Sequence, residues 1–144
     1  MAEGRVRVLT DECISDHLAD ILHRVGIRCI YPFGSQFTTG LADEEWVPQA
    51  ASRGFVCLSC DRNMVDREQI AEFLSKRTAR MIFLPSSFSN SRLRVQLAWL
   101  LKYWDKIEEQ AASMTLGSVA AISKSGQIRV LYGEQGTGSR GQGQ

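Results

Sequence analysis

The segment "RVLTDECISDHL" sets two adjacent carboxylates, Asp11 and Glu12, where the strand-like run Arg5–Thr10 gives way to a helical pattern. An acid at the point where a buried strand leaves its sheet is costly unless something positive meets it. Two more acidic groups recur along the chain. Asp43-Glu44-Glu45 opens a helical stretch, and Asp61 follows the strand-like Phe55–Ser59, with Arg62 and Asn63 next to it. Like charges packed within a few ångströms raise one another's pKa unless a cation joins them. Donor sets made only of oxygen suit Mg²⁺ or Mn²⁺ rather than zinc. Such an ion can supply a nucleophilic hydroxide and stabilise the charge of a phosphoryl transition state.

The elements that must position these acids can be read from periodicity. Arg5–Thr10 reads as a strand, and Ser15 caps a helix carrying Leu18, Ile21, Leu22 and Val25, closed by Gly26. Ile27–Tyr31 is a second strand. After a Gly/Thr/Ser-rich loop, "DEEWVPQAASRG" reads as a short helix with Asp43 as its cap. Phe55–Ser59 is a third strand, "DREQIAEFLSKR" a third helix, and "RMIFLP" a fourth strand stopped by Pro85. Ser89 or Asn90 opens the longest helix, running to about Ala112, with a stripe of Leu93, Leu97, Leu100, Leu101 and Trp104. "SVAAISKSGQIRVLY" is a terminal hairpin turning at Ser125-Gly126. Strands alternating with helices imply an α/β fold, a mostly parallel sheet with helices on both faces. In such sheets function gathers at the carboxyl ends of the strands. The three acidic groups can therefore converge on one rim.

Composition narrows the class. The 144 residues are 44% apolar, which suits one domain with one sizeable core. The expected domain is 1–132, followed by a disordered Gly/Gln/Ser-rich tail, 133–144. No run reaches the roughly 18 apolar residues of a membrane helix. No signal peptide is legible either. The CxxC pair Cys57–Cys60 has no second pair and no nearby histidine, so Cys13, Cys29, Cys57 and Cys60 read as reduced thiols of a cytoplasmic protein rather than a zinc site. The net charge of +1 is unevenly spread: residues 1–61 carry −4 and residues 62–106 carry +5. That asymmetry fits a metal site beside a polyanion-binding surface, and equally fits ordinary solvated faces. Asp43 alone is equally a helix cap, and Glu44 and Glu45 suit any first turn. His17 and His23 do not face one site as a pair.

Taken in order, "RVLTDECISDHLADILHRVGIRCIYPFG" and "GLADEEWVPQAASRGFVCLSCDRNM" resemble the PIN-like ribonuclease superfamily, and in particular its short VapC-toxin-like branch. There an opening strand ends in Asp-Glu, a helix starts Asp-Glu-Glu, and a Thr-x-Asp-x-Asp-Phe type motif follows the third strand. Here that last motif is Ser59-Cys60-Asp61-Arg62-Asn63-Met64. The likeness spans about residues 5–131. It implies a Rossmann-like three-layer α/β/α domain with a C-terminal β-hairpin. It also implies metal-dependent endonucleolytic cleavage of RNA, with the protein acting as toxin beside a cognate antitoxin.

By motif, Asp11, Asp43 with Glu44, and Asp61 match the family's acids. Asn63 stands where many members carry a second aspartate; its carbonyl oxygen can still coordinate, or Asp66 can substitute. In the implied mechanism Asp11, Asp43, Asp61 and Asn63 hold Mg²⁺ or Mn²⁺, Glu44 or Glu12 accepts a proton, and Arg62, Lys76 and Arg80 contact the RNA backbone. The partners expected are RNA and an antitoxin, with homodimerisation left open and no membrane. Two rivals stand beside this reading: a degenerate PIN-like fold that binds RNA or protein, and a phosphoacceptor receiver-like domain, for which no lysine follows a fifth parallel strand.

Overall fold

The computed structural model describes residues 6–60 and 68–133. Six strands are formed: β1 (Val8–Thr10), β2 (Ile30–Pro32), β3 (Val56–Ser59), β4 (Arg80–Phe83), β5 (Val119–Ile122) and β6 (Ile128–Tyr132). The helices are α1 (Asp16–Arg24), α2 (Asp43–Ser52), α3 (Glu68–Lys76) and α4 (Leu93–Ser113). The strands make one sheet in the order β2-β1-β3-β4-β5-β6. All neighbours pair in parallel except β5 and β6, which close the expected hairpin; β5 is thus a fifth parallel strand, and Lys124 follows it by two residues, contrary to the sequence reading that no lysine does, because the first strand of the hairpin adds to the sheet in parallel with β4.

Strand side chains alternate between the two faces, and each face is covered. Val8, Leu58, Ile82 and Ala120 join one apolar cluster with Leu18 and Leu22 of α1 and Leu100, Trp104 and Ile107 of α4. Leu9, Cys57, Met81 and Phe83 join the other, with Trp46 and Val47 of α2 and Leu74 of α3. The three-layer α/β/α arrangement follows from that division. Because every crossover helix runs back against its strands, the starts of all the helices lie at the carboxyl edge of the sheet.

Several boundaries differ from the periodic reading. The second strand is Ile30–Pro32 rather than Ile27–Tyr31, because the chain is still completing the turn after α1: Ile27 N–H donates to the Leu22 carbonyl at 3.0 Å. Val25, expected on the apolar face, is the C-cap of α1 and 60% exposed. A 3₁₀ turn at Phe88–Asn90 precedes the longest helix, which starts only at Leu93. In that helix Leu100, Trp104, Ile107 and Ala111 are buried, whereas Leu93 and Leu101 are exposed. The buried set follows the i, i+4, i+7 rhythm of one face; Leu101 lies a third of a turn away.

The hairpin is fastened to α4. Trp99 Nε1 donates to the Lys124 carbonyl at 3.0 Å, Lys106 Nζ donates to the Gly126 carbonyl, and Tyr103 lies directly over Gly126. Gly126 has φ +88°, and a Cβ there would sit 2.3 Å from Tyr103 Cε1. Gly126→Ala therefore meets both left-handed strain and a ring clash, and should cost about 2 kcal/mol or more. Urea denaturation of the two forms measures this; an unchanged midpoint would show that the hairpin is not held in this way.

Candidate functional site

From β1 the chain crosses to β2 on one side through α1, then to β3 on the other side of β1 through α2. That reversal makes the carboxyl ends of β1 and β3 the switch point of the sheet, where open α/β folds bind ligands. Asp11 is the first residue past β1. Its N–H donates to the Leu58 carbonyl at 2.9 Å, carrying the β1–β3 ladder one step beyond the strand. The residue is only 8% exposed, and its carboxylate is held from two sides. Ser59 Oγ donates to Oδ2 at 2.9 Å, and Glu12 N–H donates to Oδ1 at 2.6 Å. A buried carboxylate requires such donors.

Cys13 sits against the same groups. Its sulfur accepts the Cys60 N–H at 3.0 Å and lies 3.7 Å from Ser59 Oγ and 4.0 Å from Asp11 Oδ2. Cys60 Sγ donates to the Cys13 carbonyl at 3.6 Å. The side-chain hydrogen bond with Cys60 holds the Cys13 thiol below its ordinary range, outweighing burial and the Asp11 charge, which push the other way. Cys57 points into the opposite core; burial, aided by Asp11, pushes its thiol far up.

The α2 acids reach this edge through a short tether. Glu12 Oε2 accepts the Gly40 N–H at 2.9 Å, tying the end of β1 to the loop that leads into α2. Asp43 is the first residue of α2 rather than its cap; Ala42 occupies the cap, and Glu45 Oε1 reaches back to accept the Ala42 N–H at 3.2 Å. Asp43 Oδ1 accepts the indole Nε1–H of Trp46 at 3.0 Å. Trp46 is itself fully buried, packed edge-on against Phe33 with centroids 5.4 Å apart. Its ring therefore anchors the Asp43 carboxylate. Glu44 is exposed beside it.

Asp11, Glu12, Asp43 and Glu44 thus share the carboxyl edge. Among the described residues no group of three or more His, Cys, Asp or Glu closes into a metal site. Asp61, Arg62, Asn63 and Asp66 lie outside the described residues. The oxygen donors of Asp11 and Asp43 fit a hard cation such as Mg²⁺ or Mn²⁺.

Lys76 and Arg80 are not brought to this edge. Lys76 ends α3, where Nζ lies 3.4 Å from Glu72 Oε2, and Arg80 opens β4 paired with Val56, the first residue of β3. Both belong to the amino edge, across the sheet from Asp11. Arg80 Nε is buried there without a hydrogen-bond partner among the described residues. Three residues that build the site were given no role in it by the sequence: Ser59 stood only as the first position of the third-strand motif, Cys13 only as a reduced thiol, and Trp46 was not singled out. A serine ending the otherwise apolar run "FVCLS" and a tryptophan three places after Asp43 were the available signals.

The opposed thiol shifts make a direct test. With limiting iodoacetamide near neutral pH, Cys13, whose ionised form is favoured, should be alkylated first, and Cys57 only after unfolding. Peptide mass mapping reads the order; labelling of Cys57 in the native protein would contradict this geometry.

A family model described as PIN like domain matches residues 6–86. The matched span runs from the approach to β1 through β4 and contains Asp11, the α2 acids and Asp61. No curated protein and no solved structure matches the chain significantly. The match takes in more than half of the 144 residues, and the three-layer architecture agrees with it. With a buried aspartate at the carboxyl end of its first strand and a nuclease-type fold around it, the chain belongs to the PIN-like domain family.

Proposed function

We propose that this protein is a divalent-metal-dependent endoribonuclease, acting as the toxin of a toxin–antitoxin pair. The observation that carries the reading is Asp11: a buried aspartate at the switch point, its carboxylate held in place by Ser59 and a backbone N–H. Asp11, Asp43 and Asp61, with the amide oxygen of Asn63, would hold Mg²⁺ or Mn²⁺. Bound there, the ion would supply an acidified water and stabilisation of charge on the phosphodiester.

The chain's own groups do the rest. Ser59 and the Glu12 N–H orient the Asp11 carboxylate, and Trp46 orients Asp43. Glu44, exposed beside Asp43, would take the proton of an attacking water at its carboxylate. Glu12 is instead engaged with the Gly40 N–H, so it acts as a tether. The toxin role is supported by the likeness of the Asp11-Glu12 and Asp43-Glu44-Glu45 motifs to the VapC-like branch, and it supplies RNA and a cognate antitoxin as partners. A second reading, a non-catalytic module that binds RNA or protein, is favoured by one residue, Asn63, which replaces a charged donor by a neutral one.

Asp11→Asn separates the two. The variant preserves shape: its amide oxygen still accepts the Glu12 N–H, and its NH₂ can donate to Ser59 Oγ, a hydroxyl that works in either direction. The fold should survive while cleavage of single-stranded RNA with Mn²⁺ falls by about 100-fold or more. Mn²⁺ at about 100 times its Kd should also stabilise chelator-treated wild type by about 2.7 kcal/mol in thermal denaturation, and the variant much less. Wild-type protein that binds RNA in Mn²⁺ yet never cuts it would replace the enzyme by the binding module.

Asn63 gives an independent check. Asn63→Asp adds a charged donor for a hard cation and should lower the Mn²⁺ concentration needed for half-maximal cleavage. Without metal the added anion should cost stability, by repulsion at a crowded edge. Identical metal titrations of the two forms would put Asn63 outside the site.

A further inference from the structure

We propose that the groove between the carboxyl end of β4 and the β5–β6 hairpin binds the backbone of single-stranded RNA next to the scissile bond, with Arg129 as its principal phosphate ligand. The inference rests on the nuclease reading for its substrate. Its hairpin wall, with Arg129, lies beyond residue 86, where the family match ends.

The groove encloses about 330 Å³ and is lined by Leu84, Pro85 and Ser86 on one wall and Ser123, Gln127 and Arg129 on the other. That volume is at the small end of ligand pockets, about 300 Å³ upward, and suits a sugar–phosphate unit rather than a large ligand. Its position follows from register. Ile128 pairs with Ile122, the last residue of β5, and Arg129 with Ala121. Both walls therefore stand at the carboxyl edge, the edge of Asp11. Between β1 and the groove lie two to three strand spacings, about 10–15 Å at about 4.8 Å each. A strand of RNA crossing the switch point would run directly into it.

Charge agrees with position. There is no Asp or Glu between Glu72 and Asp105, and none between Glu109 and Glu134. The segments that build this end of the edge, 84–94 and 119–131, carry instead Arg92, Arg94, Lys124 and Arg129. The edge is thus acidic around β1 and α2 and basic from β4 to β6. An anionic polymer is drawn to the basic end and needs a cation only at the acidic one. Lys76 and Arg80, on the amino edge, have no access to such a path. Ser86, Ser123 and Gln127 add hydroxyl and amide groups suited to ribose 2′-hydroxyls. An arginine on an edge strand also discourages stray strand pairing. That role alone would leave RNA binding untouched, so measurement separates the two.

The experiment is fluorescence anisotropy of a labelled single-stranded oligouridine with the full chain in EDTA, so that binding is read without cleavage. Arg129→Ala should weaken binding about 5–10-fold and reduce the slope of log K against log salt by about 1. Arg129→Lys should recover part of the affinity, and Arg80→Ala should leave it unchanged. A DNA strand of matching length should bind more weakly if the hydroxyls read the ribose. Arg129→Ala binding as tightly as wild type, or Arg80→Ala weakening binding as much, would overturn the groove. So would a wild type that binds no RNA. The groove and the nuclease reading fail separately. RNA binding that depends on Arg129 without any cleavage in Mn²⁺ would sustain the groove and sink the enzyme. Cleavage with an unchanged KM in Arg129→Ala would do the reverse.

Discussion

The Ser59 hydroxyl on the Asp11 carboxylate is the contact on which the arrangement of this edge turns. It joins the ends of the adjacent parallel strands β1 and β3 at the point where the chain reverses direction along the sheet. An aspartate at 8% exposure has lost most of its hydration; here a hydroxyl and a backbone N–H take the place of water on its carboxylate.

From that contact the neighbouring groups take their places. Glu12, one residue on, holds the loop before α2 through Gly40, and so brings Asp43 to the edge that Asp11 occupies. Trp46 then fixes Asp43 from beneath, its ring locked among Phe33 and Phe37. The apolar core under α2 thereby controls the direction of a surface acid. Cys13 and Cys60 close the opposite flank by exchanging hydrogen bonds between the β1 and β3 ends. Acids at helix starts gain further support from the macrodipole, since the starts of the crossover helices face this edge.

The same topology gives the edge its polarity. Parallel strands put the end of every strand on one rim, so an acidic first half and a basic later half of the sequence become two ends of one surface. The antiparallel β6 completes it. By turning back at Gly126, under Tyr103, it returns Arg129 to the rim.

Much of this was written in local sequence. Alternation of strand-like and helical periods, the Ser15 cap, Gly26 and the Ser125-Gly126 turn determined an α/β chain ending in a hairpin, because each is a signal carried within a few residues. Asp11 stood out for the same reason: nothing nearby in sequence could neutralise it. What local sequence could not decide was which residues meet across the sheet. Lys76 and Arg80 looked like partners for RNA by charge alone, yet the direction of α3 carries them to the far edge. Ser59, quoted only as the first position of a motif, and Trp46 and Arg129, not singled out at all, became a carboxylate clamp, an anchor for Asp43 and the basic wall of a groove. Helical and strand periods are set by neighbours one to four residues away. Contacts between Asp11 and Ser59, 48 residues apart, exist only once parallel pairing has fixed the register.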